Sequence, residues 1–391
     1  GPLPSSQPIP RIDLTNPPPP HTAARPPTLP KMSLNVHTEN KRRVLDAMRA
    51  IAESTPAGLG RLLGTIYHPQ AHWRGSHPLN EMDGPAAIES RVWGPLLGAL
   101  DGAERRDDVL LAGHYDGQDH VAAVGHIGGN FRRPWLGIAP TGGMVYLRYG
   151  EVHQVVDGRI TCSTVLFDIL DFLRQAGFVA LPPSLGREGR WPAPMTADGV
   201  RLAPADPAES AASLALTLQM QASLGAHDDG AGTGRDGLLH MPQKAFWHPR
   251  MNWYGPSGIG TSHGLDGFVD CHQLPFRTAF PNLLSRPRTE TRSRDGKNHY
   301  VRIGDGAYSA TGGWPSRYLH HEGAGWLGLP ATGRAVTMRV MDFYRAEDGL
   351  IRENWVPIDL IEVLLQLGVD VIARAQRHFA ARGLCAARSA G

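Results

Sequence analysis

Two aspartates stand where a predicted strand runs into a predicted helix. Asp168 follows the strand-like run Ile160–Phe167, and Asp359 follows the equivalent run Ile351–Ile358. A carboxylate at the inner end of a strand in an apolar pocket loses hydration. Its pKa then rises toward neutrality, so it can both accept and return a proton. The same position also suits a structural role, because an aspartate that opens a helix caps the free N–H groups there.

The second of these strands offers a further acid. Two carboxylates in one pocket push their pKa values apart, which suits acid–base catalysis. We therefore predict Asp359, Asp168 and Glu353 as catalytic candidates, with the chemistry in the second half of the chain. The alternative for Glu353 is a solvent-facing position at a twisted strand end. Strict alternation puts the following residues on one face: Ile351, Glu353, Trp355, Pro357 and Asp359.

Histidines and tryptophans near the predicted strands are candidates for substrate binding. An imidazole titrates near neutral pH, whereas an indole more often fills a core than holds a ligand. A histidine near apolar positions is usually a structural residue, and this alternative stays open for each. The His68-x-x-x-His72 spacing is interrupted by Pro69 and lacks a glutamate, so no metal site is predicted. The candidates are Trp73, His126, Trp135 and His153 in the first half, and Trp253, His263, His321, Trp326 and Trp355 in the second.

The stretch that carries most of these residues occurs twice. Trp135–Gly177 and Trp326–Gly368 align without a gap at an offset of 191 residues, with 15 identities in 43 positions. Each copy reads as a strand, an Asp-Gly hairpin, a strand, an aspartate and a helix. Residues 68–75 and 248–255 echo each other as well, which lengthens the repeat. The order of elements predicts an α+β class, with three helices, a curved antiparallel sheet and a closing helix in each copy.

Length and composition fit two globular domains. The chain has 391 residues, 41% of them hydrophobic and 19% charged. We predict a disordered proline-rich tail at 1–31, one domain at 32–180, a linker at 181–205 and a second domain at 206–391.

Charge, cysteines and motifs narrow the function. The net charge is +2 and the arginines are spread out, so a nucleic-acid partner is not expected. No apolar run reaches the roughly 18 residues of a membrane helix, and no secretory signal opens the chain. Three widely spaced cysteines predict reduced thiols and a cytoplasmic location. Because the glycine-rich nucleotide motifs are missing, we expect no cofactor.

Several motifs occur in the same order in the two copies. They are Gly125-His126, Trp135–Gly142, Asp157–Ile160 and Asp168 in the first copy, and Leu329–Gly333, Asp348–Ile351, Asp359 and Leu364–Gly368 in the second. These motifs resemble the SnoaL-like polyketide cyclase family. The resemblance covers nearly all of both predicted domains, although Gln-Ala-Gly replaces Gln-Leu-Gly in the first copy, and the second has an insertion at 312–325. It implies a cone-shaped α+β barrel of the nuclear-transport-factor-2-like superfamily, with helices on the concave side of each sheet. Asp168 and Asp359 match the position of the acid–base aspartate of that family.

Together these features predict a cofactor-independent enzyme that moves a proton on a small organic substrate. Cyclase, isomerase, dehydratase and hydrolase reactions all stay open, because one fold supports many chemistries. The alternative is a non-catalytic module for ligand binding or subunit assembly. A ligand-sized cavity with an aspartate at its floor would favour the enzyme hypothesis. A core filled by side chains, with the aspartate capping its helix, would favour the non-catalytic module. We also expect the two copies to pack as an intramolecular pseudo-dimer, with further homo-oligomers open.

Overall fold

Two six-stranded sheets, one from each half of the chain, carry the repeated sequence. The computed structural model describes residues 35–189, 191–225, 234–281 and 299–383. The predicted tail and Cys385 lie outside these residues. The first sheet consists of β1 (Tyr67–Gly75), β2 (Asn80–Asp83), β3 (Leu100–Tyr115), β4 (Gln118–Phe131), β5 (Met144–Val156) and β6 (Arg159–Phe167). The second consists of β7 (Trp247–Tyr254), β8 (Thr261–His263), β9 (Val301–Asp305), β10 (Tyr308–His320), β11 (Ala335–Glu347) and β12 (Leu350–Trp355).

The helices of the two halves follow a similar order along the chain. A π-helical turn interrupts the third helical segment of each half at equivalent places, Glu89–Trp93 and Val269–Gln273, and a short 3-10 helix spans Pro242–Phe246. The first half contains α1 (Val36–Ala52), α2 (Pro56–Ile66), α3 (Pro85–Ile88), α4 (Gly94–Ala99) and α5 (Ile169–Gln175). The second contains α6 (Pro207–Gly225), α7 (Arg235–Leu239), α8 (Gly264–Phe268), α9 (Leu274–Ala279), α10 (Leu360–Gln366) and α11 (Val371–Ala381).

The strand order is β2-β1-β6-β5-β4-β3, repeated as β8-β7-β12-β11-β10-β9. The predicted α+β class in two tandem copies is confirmed, but two details differ. The sheets are mixed, because β1 pairs in parallel with β6, and β7 with β12. The sheets are also open, since their edge strands do not pair with each other. The helical segment between β2 and β3 carries the chain across the sheet, so β1 can lie parallel to the last strand.

Both predicted Asp-Gly hairpins are present. Asp157 and Gly158 have φ angles of 48° and 76°, and Asp348 and Gly349 have 52° and 73°. Two consecutive positive φ angles are typical of a type I′ turn, which matches the right-handed twist of the flanking strands. The turns therefore fix the pairing of β5 with β6 and of β11 with β12.

The outer faces of the two sheets pack against each other. Their shared core includes Val109 and Leu111 of β3, Ile303 of β9 and Trp355 of β12. Near this core, the Lys41 Nζ atom of α1 lies 2.8 Å from an Asp305 carboxylate oxygen of β9. Because both halves belong to one compact unit that begins at Asn35, the predicted domain boundaries stay a prediction.

Candidate functional site

A cavity of about 660 Å³ lies inside the second half of the chain. Strand β11 turns alternate side chains toward it, as the period of two in a strand requires: Met338, Val340, Asp342 and Tyr344. Strand β12 contributes Asn354, and further lining residues come from α6, β7, the π-helical turn, α9, β9 and β10. The volume falls within the range of about 300 to 1,000 Å³ that holds small organic ligands.

The only carboxylate among the described residues that line this cavity belongs to Asp342. The Asn354 Nδ2 atom lies 3.4 Å from its Oδ1, and Tyr344 is hydrogen-bonded to the same side chain. The Gln221 Nε2 atom donates to the Tyr344 hydroxyl at 3.2 Å and to Thr311 Oγ1 at 2.9 Å. Tyr344 and Asn354 are buried, whereas Asp342 as a whole residue is half-buried and lines the cavity.

Burial raises the pKa of Asp342 to about 6. The hydrogen bonds from Asn354 and Tyr344, and the charge of Arg317, act in the opposite direction and favour the carboxylate. Desolvation is the larger effect, because taking a carboxylate out of water disfavours its charged form. The carboxylate of Asp342 can thus gain or lose a proton close to neutral pH.

Aromatic side chains form the apolar wall of the cavity. Trp253 and Trp326, both predicted as pocket residues, lie there together with Phe276. The ring of His272 stacks on Trp253, with 4.2 Å between centroids and 14° between planes. Burial lowers the pKa of His272 to about 3, so this imidazole is neutral at physiological pH.

The interior of the first half is filled by a charged network instead. Arg105 makes a two-pronged ion pair with Glu151, and its Nη2 lies 2.8 Å from Asp107 Oδ1. The His153 Nε2 atom lies 3.2 Å from Glu151 Oε1, and its Nδ1 is 2.7 Å from Ser163 Oγ. Arg105, Glu151 and His153 are each at most 7% exposed. The charged groups in this half therefore compensate each other and leave few polar groups free to bind a ligand.

Asp168 and Asp359 occupy equivalent positions between the halves. Asp168 caps α5, is paired with Arg148 and accepts the backbone N–H of Ser257 at 2.9 Å. Asp359 caps α10, lies 3.2 Å from Arg339 Nη1 and accepts the backbone N–H of His77 at 2.9 Å. Each aspartate thus binds a turn of the opposite half. Burial raises the pKa of Asp359 to about 6, as expected, but this carboxylate is 2% exposed and lies outside the cavity lining. A catalytic role for either stays a prediction, and these contacts support the structural alternative.

The predicted inner face of β12 is displaced by one residue. A bulge at Arg352 shifts the register, since Arg345 pairs with Glu353 and Ala346 with Ile351. Beyond the bulge, Asn354 faces the cavity, whereas Glu353 and Trp355 face the other way. Glu353 accepts a hydrogen bond from the Tyr254 hydroxyl at 2.8 Å and pairs with Arg345. Trp355 lies in the core between the sheets, and its Nε1 donates to the Pro192 carbonyl.

The predicted histidines do not meet in the cavity. His263 is exposed and hydrogen-bonded to Asn252 Oδ1 at 2.7 Å. His321 is buried beside Phe280 and lies 3.2 Å from Thr332 Oγ1. His126 lies on β4, 3.6 Å from a carboxylate oxygen of Asp108. As the structural alternative anticipated, these histidines have protein partners.

The remaining tryptophans belong to the core of the first half. Trp73 is 0% exposed and Trp135 is 2% exposed, packed edge-on against Phe167 and Phe172. Their counterparts in the second half, Trp253 and Trp326, line the cavity. Equivalent indoles thus fill a core in one half and border a cavity in the other.

Several cavity residues were not among the sequence candidates. Asp342 was recognisable as the counterpart of Glu151, but neither its strand face nor its burial was evident. Its pattern did carry a signal, because Met338, Val340, Asp342 and Tyr344 alternate along β11. The missed residues are Gln221, His272, Arg277, His299, Arg302, Arg317, Asp342, Tyr344 and Asn354.

Part of the second copy matches the model of a known family. Residues 318–367 match the family model of the SnoaL-like polyketide cyclases. The resemblance found in the sequence is therefore confirmed, on a segment that runs from β10 through α10 and includes Asp342 and Asn354. None of the curated proteins compared with the chain matches it.

Solved structures with a similar backbone include three bacterial proteins. A candidate SnoaL-like polyketide cyclase from Jannaschia sp. CCS1 shares 18% identity, with 39% of this chain and 99% of that chain covered and a TM-score of 0.31. An NTF2-like protein from Burkholderia thailandensis E264 shares 25% identity, over 36% and 97% of the two chains, with a TM-score of 0.27. TsrD from Streptomyces laurentii shares 20% identity, over 36% and 96%, with a TM-score of 0.29.

Two further observations concern the described residues as a whole. Within them, no group of three or more histidine, cysteine, aspartate or glutamate side chains is placed to hold a metal ion. None of their helices has both the length and the apolar character needed to cross a membrane.

Proposed function

We propose that the second half of the chain is an enzyme that transfers a proton on a small organic molecule, with Asp342 as the general acid–base group. The observation that supports this proposal is the position of Asp342, the only carboxylate among the described lining residues, at the wall of a cavity of about 660 Å³. Asp342 takes the place that the sequence assigned to Asp359, because a catalytic group must reach the substrate.

The proposed chemistry begins with removal of a proton from a carbon next to a carbonyl group. The C–H bond breaks, an Asp342 oxygen takes the proton, and the electron pair moves onto the carbonyl oxygen. The cationic side chain of Arg317 supports this developing charge. The protonated Asp342 then returns the proton to another atom. Isomerisation, ring closure and elimination share this first step, and hydrolysis would use the same carboxylate to activate water. The sequence of steps needs no cofactor.

The polar partners of Asp342 suit this role. Asn354 and Tyr344 hold the carboxylate in one orientation, and Gln221 in turn holds the Tyr344 hydroxyl. A base that is already oriented avoids the entropy cost of finding its reactive geometry. The apolar wall of Trp253, Trp326 and Phe276 would hold the body of the substrate.

For the first half we propose the non-catalytic alternative. Its interior is occupied by the Arg105–Glu151–His153 network, and the outer face of its sheet covers that of the second sheet. We propose that it supports the second half as the other member of an intramolecular pseudo-dimer.

The test is to incubate a cell extract with the wild-type protein and, in parallel, with Asp342→Asn, and to compare the metabolites by mass spectrometry. A compound that only the wild type converts is the expected substrate. Turnover of that compound by Asp342→Asn should fall by a factor of about 10² to 10⁴, the usual contribution of a positioned acid–base group. Asp359→Asn is the matched control and should keep its turnover per folded molecule. Equal conversion by Asp342→Asn and wild type would overturn the assignment.

A further inference from the structure

Three arginines line the same cavity from three different elements. Arg277 lies on α9, Arg302 on β9 and Arg317 on β10. Asp342 is the only carboxylate that faces them among the described lining residues. His272 and His299 add no charge, because burial lowers their pKa values to about 3 and about 4. The described lining is therefore cationic overall.

The fold itself does not require these charges. The strand registers and the shared order of helices show which positions of the two halves are equivalent. Arg302 corresponds to Leu110 of the first half, Arg317 to Ile127 and Arg277 to Leu97. At all three positions the first half thus carries an aliphatic side chain and still forms the same sheet and helices. A structural need would be met by leucine or isoleucine, so the arginines call for another explanation.

Protein groups leave these guanidinium groups largely uncompensated. The Arg302 Nε atom is buried without a hydrogen-bond partner among the described residues, and an Nη2 atom reaches only the His299 Nδ1 at 2.9 Å. Arg277 donates to the Leu224 carbonyl at 3.4 Å. No described carboxylate lies within salt-bridge distance of Arg277, Arg302 or Arg317. Burial, and to a smaller extent the charge of the neighbouring Arg317, lowers the pKa of Arg277 to about 10.

We infer that the cavity binds an organic carboxylate, with Arg277, Arg302 and Arg317 around the carboxylate and the aromatic wall around the apolar body. A guanidinium group offers paired N–H donors that match the two oxygens of a carboxylate. A bound anion would satisfy the buried Arg302 Nε donor and offset the repulsion between Arg277 and Arg317. This inference rests on the proposed function, since it names the class of substrate for the same cavity.

The experiment compares two probes of one shape, 2-anthracenecarboxylate and the neutral 2-anthracenemethanol. Binding to the full chain is measured by probe fluorescence and by titration calorimetry. For wild type, the carboxylate should bind about tenfold more tightly than the alcohol or better, because hydrogen bonds between charged groups are the strong ones. Arg317→Gln and Arg302→Gln should each weaken the carboxylate about tenfold and leave the alcohol unchanged.

Arg250→Gln is the matched control, because Arg250 is exposed on β7 and outside the cavity. This variant should bind both probes as wild type does. Thermal melts of all variants identify any loss that comes from unfolding, and two independent arginine variants guard against one that fails to fold. Equal or tighter binding of the alcohol would overturn the carboxylate class and leave the proposed enzyme standing. Failure of both probes to bind the folded protein would overturn both.

Discussion

The two halves of the molecule share a fold but differ in what fills it. In the first half, Trp93, Tyr149 and Phe167 are at most 3% exposed and pack inside the sheet. The equivalent positions of the second half hold smaller side chains that line the cavity, and they are Gln273, Val340 and Ile358. Three exchanges of an aromatic ring for a smaller group open space while the strand order stays the same. The interior of the first half is therefore a packed core, whereas the interior of the second half encloses a cavity.

The two halves also differ in how the carboxylate at the equivalent position is compensated. Glu151 in the first half is neutralised by Arg105, which lowers the pKa of Glu151 to about 2 despite burial. Its counterpart Asp342 has no ion-pair partner among the described residues, and burial raises its pKa to about 6. A compensated carboxylate stabilises the fold, whereas an uncompensated one is available for proton transfer. Equivalent positions in a duplicated fold can thus take opposite roles.

The largest expected effect on stability comes from Glu151→Gln. This change removes one of the two carboxylates that pair with the buried Arg105 and leaves Asp107 as the other. Breaking a buried ion pair typically costs about 3 to 5 kcal/mol of unfolding free energy. Asp342→Asn is the matched change in the second half and should cost no stability at pH 7. Urea unfolding of both variants measures the difference. A similar loss in both would contradict the contrast between the halves.

The pH dependence of stability should separate the same two residues. The folded-state pKa of Glu151 is below its unfolded value, so its contribution is present above about pH 4.5 and is lost as pH falls toward about 2. The folded-state pKa of Asp342 is raised from 3.8 to about 6, so its ionisation destabilises the fold above about pH 6. That penalty disappears as pH falls toward about 4. Asp342→Asn should therefore be more stable than wild type at about pH 7 and equal to it at about pH 3.5, as measured by unfolding at each pH.

Turnover should depend on pH through the same group. If the Asp342 carboxylate is the base in the resting enzyme, kcat/KM falls about tenfold per pH unit below about pH 6 and is level above it. The measurement is a pH–rate profile on the identified substrate. A profile that falls above about pH 6 instead would mean that the protonated form of Asp342 starts the reaction.

A smaller effect is expected at the contacts that the halves share. Asp168→Ala and Asp359→Ala each remove a helix cap, a partner for arginine and an acceptor for the opposite half. Loss of a cap alone costs about 0.5 to 2 kcal/mol, so each variant should lose about 2 kcal/mol. Turnover per folded molecule should not change, because neither residue lines the cavity. A variant that melts like wild type but is inactive would instead support a catalytic role for that aspartate.

The smallest expected change in stability comes from refilling the cavity. Ile358→Phe introduces the ring that the first half has at Phe167, and the existing space should limit the cost to about 1 kcal/mol. Binding of a ligand should weaken markedly, since the ring would occupy its volume. Thermal melts and probe titration together measure both effects. Unchanged binding would show that the ligand lies elsewhere.

Much of the architecture is local and was predictable from sequence. The repeat, the Asp-Gly hairpins, the α+β class and the SnoaL-like resemblance all rest on residues that are close along the chain. The capping role of Asp168 and Asp359 was one of the alternatives, because an aspartate before a helix satisfies N–H groups of its own first turn. Trp253 and Trp326 were also expected in the pocket and lie there.

Only the tertiary structure decided which acid faces the cavity. A single bulge at Arg352 reverses the alternation of β12, so Glu353 faces away and Asn354 faces inward. Such a bulge depends on pairing with both neighbouring strands, and one of them, β7, lies far from β12 along the sequence. The cavity likewise depends on exchanges in the π-helical turn, in β11 and in the segment that follows β12, and these create a volume only when the segments pack together. The pKa of Asp342 follows from that packing, because desolvation is a property of the assembled site and not of the residue.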